Sequence, residues 1–120
     1  MDTLYVRIGS ENLQKLIIVF YDLVFSSEKI APLFKNNKED IKEKQFMFLT
    51  QFLGGPQLYN EKYGHPKMRA RHLPHAISEE AKEEWLKCMK LAIETLDLSD
   101  ELKIALYNCF PAVAQHMVNR

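Results

Sequence analysis

Gly64-His65-Pro66-Lys67-Met68-Arg69-Ala70-Arg71-His72-Leu73-Pro74 is the stretch around which the rest of the chain is organised. With His75 just beyond it, this segment carries three of the four histidines of the 120-residue sequence. Pro66 suits the first turn of a helix, where its missing N–H is not needed, and Pro74 biases Leu73 away from helical angles. Together they predict a short helix over Lys67–His72 that ends at His72.

Longer helices are expected on both sides. Upstream, Gly9 permits a turn and Ser10 is a good N-cap, with no more than a short helical turn before them. From there Leu13, Leu16, Ile17, Phe20, Tyr21 and Val24 fall at the three-and-four spacing of a helix with one buried stripe. Tyr21 lies on that stripe, so its hydroxyl needs a partner inside. Pro32-Leu33-Phe34 forms a corner with Phe34 turned inward. A second long helix runs from about Glu39 to Leu53, with Ile41, Gln45, Phe48, Leu49 and Phe52 on its inner face and Gly54-Gly55-Pro56 as its stop. Gln57 to Gly64, polar and aromatic without clear period, reads as a loop.

Downstream, Ser78-Glu79-Glu80 caps a helix with Ala81, Trp85, Met89 and Ala92-Ile93 on one stripe, ending near Leu96. Ser99-Asp100-Glu101 caps a last helix through Leu102, Leu106, Phe110, Val113 and Met117, kinked at Pro111. No stretch alternates at period two for long enough to make a strand. The class is all-α: a single domain over residues 1–120 with five or six helices and no repeat.

Composition narrows the function. Acidic and basic residues balance at 16 each, so no global field draws in nucleic acid or an anionic membrane. The N-terminus lacks a basic leader, and runs such as Leu16 to Phe20 are too short to span a bilayer, giving the expectation of a soluble, cytoplasmic protein. Cys88 and Cys109, without a C-x-x-C pattern, fit a reducing compartment and read as small thiols on helix faces. Phosphate-binding glycine loops, the G-x-S-x-G elbow and H-E-x-x-H are all absent. His72 and His75 share no helical face across Pro74, which disfavours zinc shared with His65 or Cys88. On the residues alone, His72 is compatible with a hydrogen-bonded structural histidine and with a metal ligand.

One further set of residues bears on that choice. In order they are Phe20-Tyr21, Pro32-Leu33-Phe34, Phe48-Leu49-Thr50-Gln51-Phe52-Leu53-Gly54-Gly55-Pro56, Tyr59, Gly64-His65-Pro66, Arg69-Ala70-Arg71-His72-Leu73-Pro74 and Trp85-Leu86-Lys87-Cys88-Met89. This ordered set resembles the group II truncated haemoglobins of the globin superfamily, over nearly the whole chain from Tyr5 to Asn119. The resemblance implies a two-over-two helical sandwich around haem b, with Gly54-Gly55 helping a long loop to replace a full proximal helix.

Carried over by position, the resemblance implies His72 as the proximal iron ligand, its second nitrogen donating to the carbonyl of Met68. It puts Tyr21, Ile41, Gln45 and Trp85 on the distal side, Ile41 at the gate, and Phe34 and Phe48 against the porphyrin. Lys44 and Arg71 are its candidates for the propionates, each equally readable as a solvated charge. Lys35, where the family often has proline, and His75-Ala76, where it often has Phe-Pro, make this chain's proximal wall more polar.

The implied function is binding of dioxygen and other diatomic ligands, an oxygen-binding or oxygen-transport role in which a Tyr/Trp/Gln network favours retention. Nitric oxide dioxygenation and reaction with peroxide are the candidate activities, with an electron-donating reductase as the partner they would need and a monomer or homodimer as the assembly. The alternative is a cofactor-free or sensing globin-fold domain that acts as a protein-interaction module.

Overall fold

The computed structural model describes residues 3–33, 38–64 and 78–118. Among these residues there are seven α-helices and no strand: α1 (Leu4–Ile8), α2 (Ser10–Ser26), α3 (Lys38–Phe52), α4 (Leu58–Tyr63), α5 (Glu79–Glu94), α6 (Asp100–Tyr107) and α7 (Pro111–Met117), with a 3₁₀ turn at Ala31–Leu33. The helix expected over Lys67–His72 lies outside the described residues.

All six stripe positions of α2, from Leu13 to Val24, are buried, as the spacing predicts. Its start differs from expectation. Gly9, at φ +82°, is the N-cap and Ser10 is the first helical residue, with no capping bond from its hydroxyl. Asn12 instead donates its amide to Ile8 O at 2.8 Å, closing the end of α1. The helix stops at Ser26, whose hydroxyl donates to Asp22 O at 2.7 Å, so Pro32 falls in the later 3₁₀ turn and does not itself interrupt the helix.

α3 runs almost as the pattern predicts, but its inner face is shifted. Leu49 and Thr50 are buried, Ile41, Gln45 and Phe48 are half-buried, and Phe52 is exposed. The two glycines that stop α3 also serve a packing purpose. Gly54, at φ +97°, faces the Thr3 side chain, and a Cβ on Gly55 would fall 2.7 Å from the Tyr5 ring. The Tyr5 amide donates to Leu53 O at 3.0 Å, so α1 is fastened to the end of α3.

Two expectations give way. The segment Gln57 to Gly64 is not a loop throughout: Leu58–Tyr63 forms α4. Gln51 clasps it from α3, donating through Nε2 to Asn60 Oδ1 at 3.1 Å and accepting from the Asn60 amide at 3.0 Å. The expected last helix, kinked at Pro111, is two helices. Cys109 and Phe110 bond back to Leu106 O and Tyr107 O, tightening the end of α6, and Pro111 opens α7 in its first turn.

Ser78 and Ser99 do cap as expected, accepting from Ala81 N at 3.0 Å and Leu102 N at 3.2 Å. α2 is the hub of the packing, touching α1, α3 and α5, and α5 in turn packs against α6 and α7. Two layers result, α2 with α3 and α5 with the α6–α7 pair, with Phe20, Met89, Leu106 and Phe110 buried among them. At the edge, Lys82 bonds Glu79 at 2.8 Å and Gln115 at 2.6 Å, tying the first turn of α5 to α7.

Candidate functional site

Tyr21 reaches the interior because it follows Phe20 on the buried stripe of α2. It is 3% exposed, and burial pushes its phenol well above the ordinary tyrosine range. The group therefore stays protonated. Its ring lies 4.9 Å from Phe20, nearly perpendicular, and 5.5 Å from Phe25. Phe20 in turn meets Trp85 of α5 edge-on at 5.1 Å. Phe20 thus touches both Tyr21 and Trp85, each an aromatic side chain that carries a polar hydrogen.

Trp85 is half-buried, with Phe20 on one side and Phe110 at 5.9 Å on another. Its indole can only donate, whereas a phenol both donates and accepts. On α3, Ile41, Gln45 and Phe48 recur at one helical face and are all half-buried, so Gln45 is not the solvated residue that an isolated glutamine usually is. Phe48 stacks on Phe52 at 5.7 Å and meets Tyr59 edge-on at 6.1 Å. Lys44 is exposed, its ammonium 5.3 Å from the centre of the Tyr63 ring.

The structure thus joins Tyr21 and Trp85 through Phe20, with Ile41, Gln45 and Phe48 on the α3 face next along the fold. Phe34, Met68, Arg71 and His72 lie outside the described residues, as do His65 and His75. Among the described residues no cluster of three His, Cys, Asp or Glu side chains is placed to hold a metal ion.

Two features escaped the sequence. Phe20 was legible only as core, and its contact with Trp85 depends on how α2 crosses α5. Thr50 is fully buried, and its hydroxyl has no hydrogen-bond partner among the described residues. Thr50 lies in the largely apolar stretch Phe46–Leu53, and nothing in that pattern signals a buried hydroxyl without a partner.

Comparison with known proteins agrees with this architecture. The family model for bacterial-like globins matches residues 3–119. The group 2 truncated haemoglobin YjbI of Bacillus subtilis strain 168 is 43% identical over 116 residues, covering 97% of this chain and 88% of its own. Among solved structures, the group II truncated haemoglobin of Bacillus anthracis superposes with a TM-score of 0.94 at 37% identity, covering 99% of this chain and 92% of its own. The truncated oxygen-avid haemoglobin from Bacillus subtilis gives 0.93 at 42%, covering 98% and 100%. Haem b is the cofactor of globins, in accord with the expectation from sequence. With a family match over nearly its full length and relatives this similar on both counts, the chain belongs to the bacterial-like globins, among their group II truncated haemoglobins.

Proposed function

We propose that this chain holds haem b through His72 and retains dioxygen, or another diatomic ligand, by hydrogen bonds from Tyr21, Trp85 and Gln45. The observation that carries this reading is the pairing of a buried phenol with an indole across one ring, Tyr21 and Trp85 across Phe20.

The residues present fit the cofactor. A flat macrocycle needs apolar walls and few competing polar groups, and Ile41, Phe48 and Trp85 offer half-buried apolar surface on α3 and α5. Tyr21, Trp85 and Gln45 are the donors among them, and none carries a charge to be desolvated. Lys44 and Arg71 would hold the propionates, and Met68 O would receive the second nitrogen of His72.

Haem b supplies an iron that takes a diatomic ligand and shifts electron density onto it. The protein's part is to meet that density with fixed donors in a site from which water is kept. Tyr21 serves this best, since burial keeps its proton in place. A hydrogen bond to a charged acceptor contributes about 1.5–3 kcal/mol, so each effective donor slows ligand release by roughly one to two decades. Two or three such donors make a retaining site and a poor carrier. Retention also suits dioxygen kept for reaction with nitric oxide as co-reactant, with a reductase to restore the iron; peroxide would react at the same site in place of dioxygen. The free thiols Cys88 and Cys109 favour a reducing, cytoplasmic setting.

The test is spectroscopic and kinetic. Wild-type protein loaded with haem should show a Soret band that His72→Ala loses or shifts, and Tyr21→Phe and Trp85→Phe should each release dioxygen faster. Unchanged release in both variants would remove the retention argument. Failure of the wild type to take up haem would favour the cofactor-free interaction module.

A further inference from the structure

Trp85 stands at the head of a file of aromatic rings that leaves the distal pair and crosses the molecule. Phe110 follows it at 5.9 Å, Phe52 at 6.1 Å, Phe48 at 5.7 Å, Tyr59 at 6.1 Å and Tyr63 at 5.0 Å. Each step lies within the range of ring-on-ring contact. The file draws on α5, α3, α4 and the α6–α7 junction, so the tertiary fold assembles it, not any one helix. Its two ends differ in kind from its middle. An indole and two phenols, which lose an electron readily, flank three phenyl rings, which do not.

We propose that this file is an electron-transfer route by which an oxidising equivalent on Trp85 is moved out to Tyr63. The electron passes from Tyr63 by way of Tyr59 and the three phenyl rings to the oxidised indole of half-buried Trp85, which takes up a proton from water at its ring nitrogen and is restored. Tyr63 releases its phenolic proton to water as it gives up the electron, leaving a neutral phenoxyl radical. An external one-electron donor of the ascorbate class then returns one electron and one proton to Tyr63. The phenylalanines act as closely spaced bridges and are never themselves oxidised.

Three tyrosines compete for the vacancy, Tyr21 and the pair Tyr59 and Tyr63; Tyr59 is 7% exposed, and its surroundings, like those of Tyr21, favour it less than Tyr63. Tyr21 is much nearer, one phenyl ring away, but it is 3% exposed and burial opposes loss of its proton. A phenol whose proton is held back by burial is a poor resting place. Tyr63 is half-buried, and the ammonium groups of Lys44 and Lys62 lie 5.3 and 5.4 Å from its ring centre. Water reaches it, and so can a small reductant. The donor that holds the ligand is thereby spared, and the damage is carried to a place where a small reductant can repair it.

The source of the oxidising equivalent, a peroxide-class oxidant acting at the haem, rests on the function proposed above; the route itself does not. Trp85 is the sole tryptophan, so azide radicals generated by pulse radiolysis give an indole signal that has one origin. In the full chain, measured before and after haem loading, the indolyl absorption should decay while phenoxyl absorption grows, at a rate independent of protein concentration. Phe110→Leu should slow that transfer several-fold, with Phe48→Leu as the second interruption should the first fail to fold. Tyr63→Phe should move the radical to Tyr59, and Tyr21→Phe should leave phenoxyl growth in place. Transfer that scales with protein concentration, that is unchanged in both interrupted variants, or that vanishes in Tyr21→Phe would overturn the route. A chain that takes up no haem yet shows the transfer would overturn the proposed function alone.

Discussion

The ring of Tyr5 fills the space that a side chain at Gly55 would need. A Cβ there would meet the ring at 2.7 Å and Thr50 O at 2.9 Å. Gly55→Ala should therefore cost about 1–3 kcal/mol as overpacking, read as a lower denaturation midpoint with little change in slope. Tyr5→Ala in that background should recover only part of the loss, because the backbone carbonyl remains in the way. Full recovery would show that the carbonyl contact is relieved without cost.

The serines separate by the bonds they make. Ser78→Ala and Ser99→Ala each remove an N-cap acceptor and should destabilise by about 1 kcal/mol. Ser10→Ala should change stability by less than about 0.5 kcal/mol, since the Ser10 hydroxyl caps nothing. Equal losses at all three positions in a chemical denaturation series would contradict the assignment of Gly9 as the cap of α2.

What the sequence could and could not reveal follows from the range of the forces involved. α2 is legible from its apolar spacing, and α5 from spacing, a serine cap and a charged first turn, because these all act within one helix. α4 was not, since Leu58–Tyr63 has only six residues, no apolar period and no capping side chain, and is held by a clasp from α3. The break before α7 was hidden because Leu102, Leu106, Phe110, Val113 and Met117 keep helical spacing across it. Gly54 and Gly55 read as a helix stop, while their second purpose, receiving Thr3 and Tyr5, is a contact between distant parts of the chain. The same holds for the site. Tyr21 could be placed inside from its own stripe, but its link to Trp85 needs the crossing of α2 and α5.

Acid should act on the edge between α5 and α7. Hydrogen bonds from Lys82 and Gln115 hold the Glu79 carboxyl below its ordinary range. A carboxylate depressed in the folded state contributes stability that is present above its unfolded pKa and is lost as pH falls through the folded one. Glu79→Gln should accordingly flatten the acid limb of the stability profile, and the gap from wild type should close at the lowest pH. High salt should shrink the difference at neutral pH, because the group is exposed. A gap that widens on acidification would reverse the sign of the argument.

The thiols should be slow. Burial raises both, with the Glu84 carboxylate adding to the effect at Cys88, so little thiolate forms near neutrality. A thiol reagent should label Cys109, which is half-buried, before Cys88, which is buried, and both rates should climb only above the ordinary thiol range. Labelling of either at the rate of free cysteine at neutral pH would show that the helices open there.

The clasp between Gln51 and Asn60 bears on chemical ageing. The Asn60 backbone amide must donate, so it fixes the Gln51 oxygen toward itself and turns Nε2 to the Asn60 oxygen. Deamidation of Asn60 leaves a carboxylate that accepts the same bond. Deamidation of Gln51 keeps the oxygen that the backbone needs, and Asn60 can flip to present its own donor. Hydrolysis of both sets two carboxylates face to face with no hydrogen between them. The hold of α3 on α4 therefore keeps both bonds after a first such lesion and only its backbone bond after the second, against the repulsion of two carboxylates.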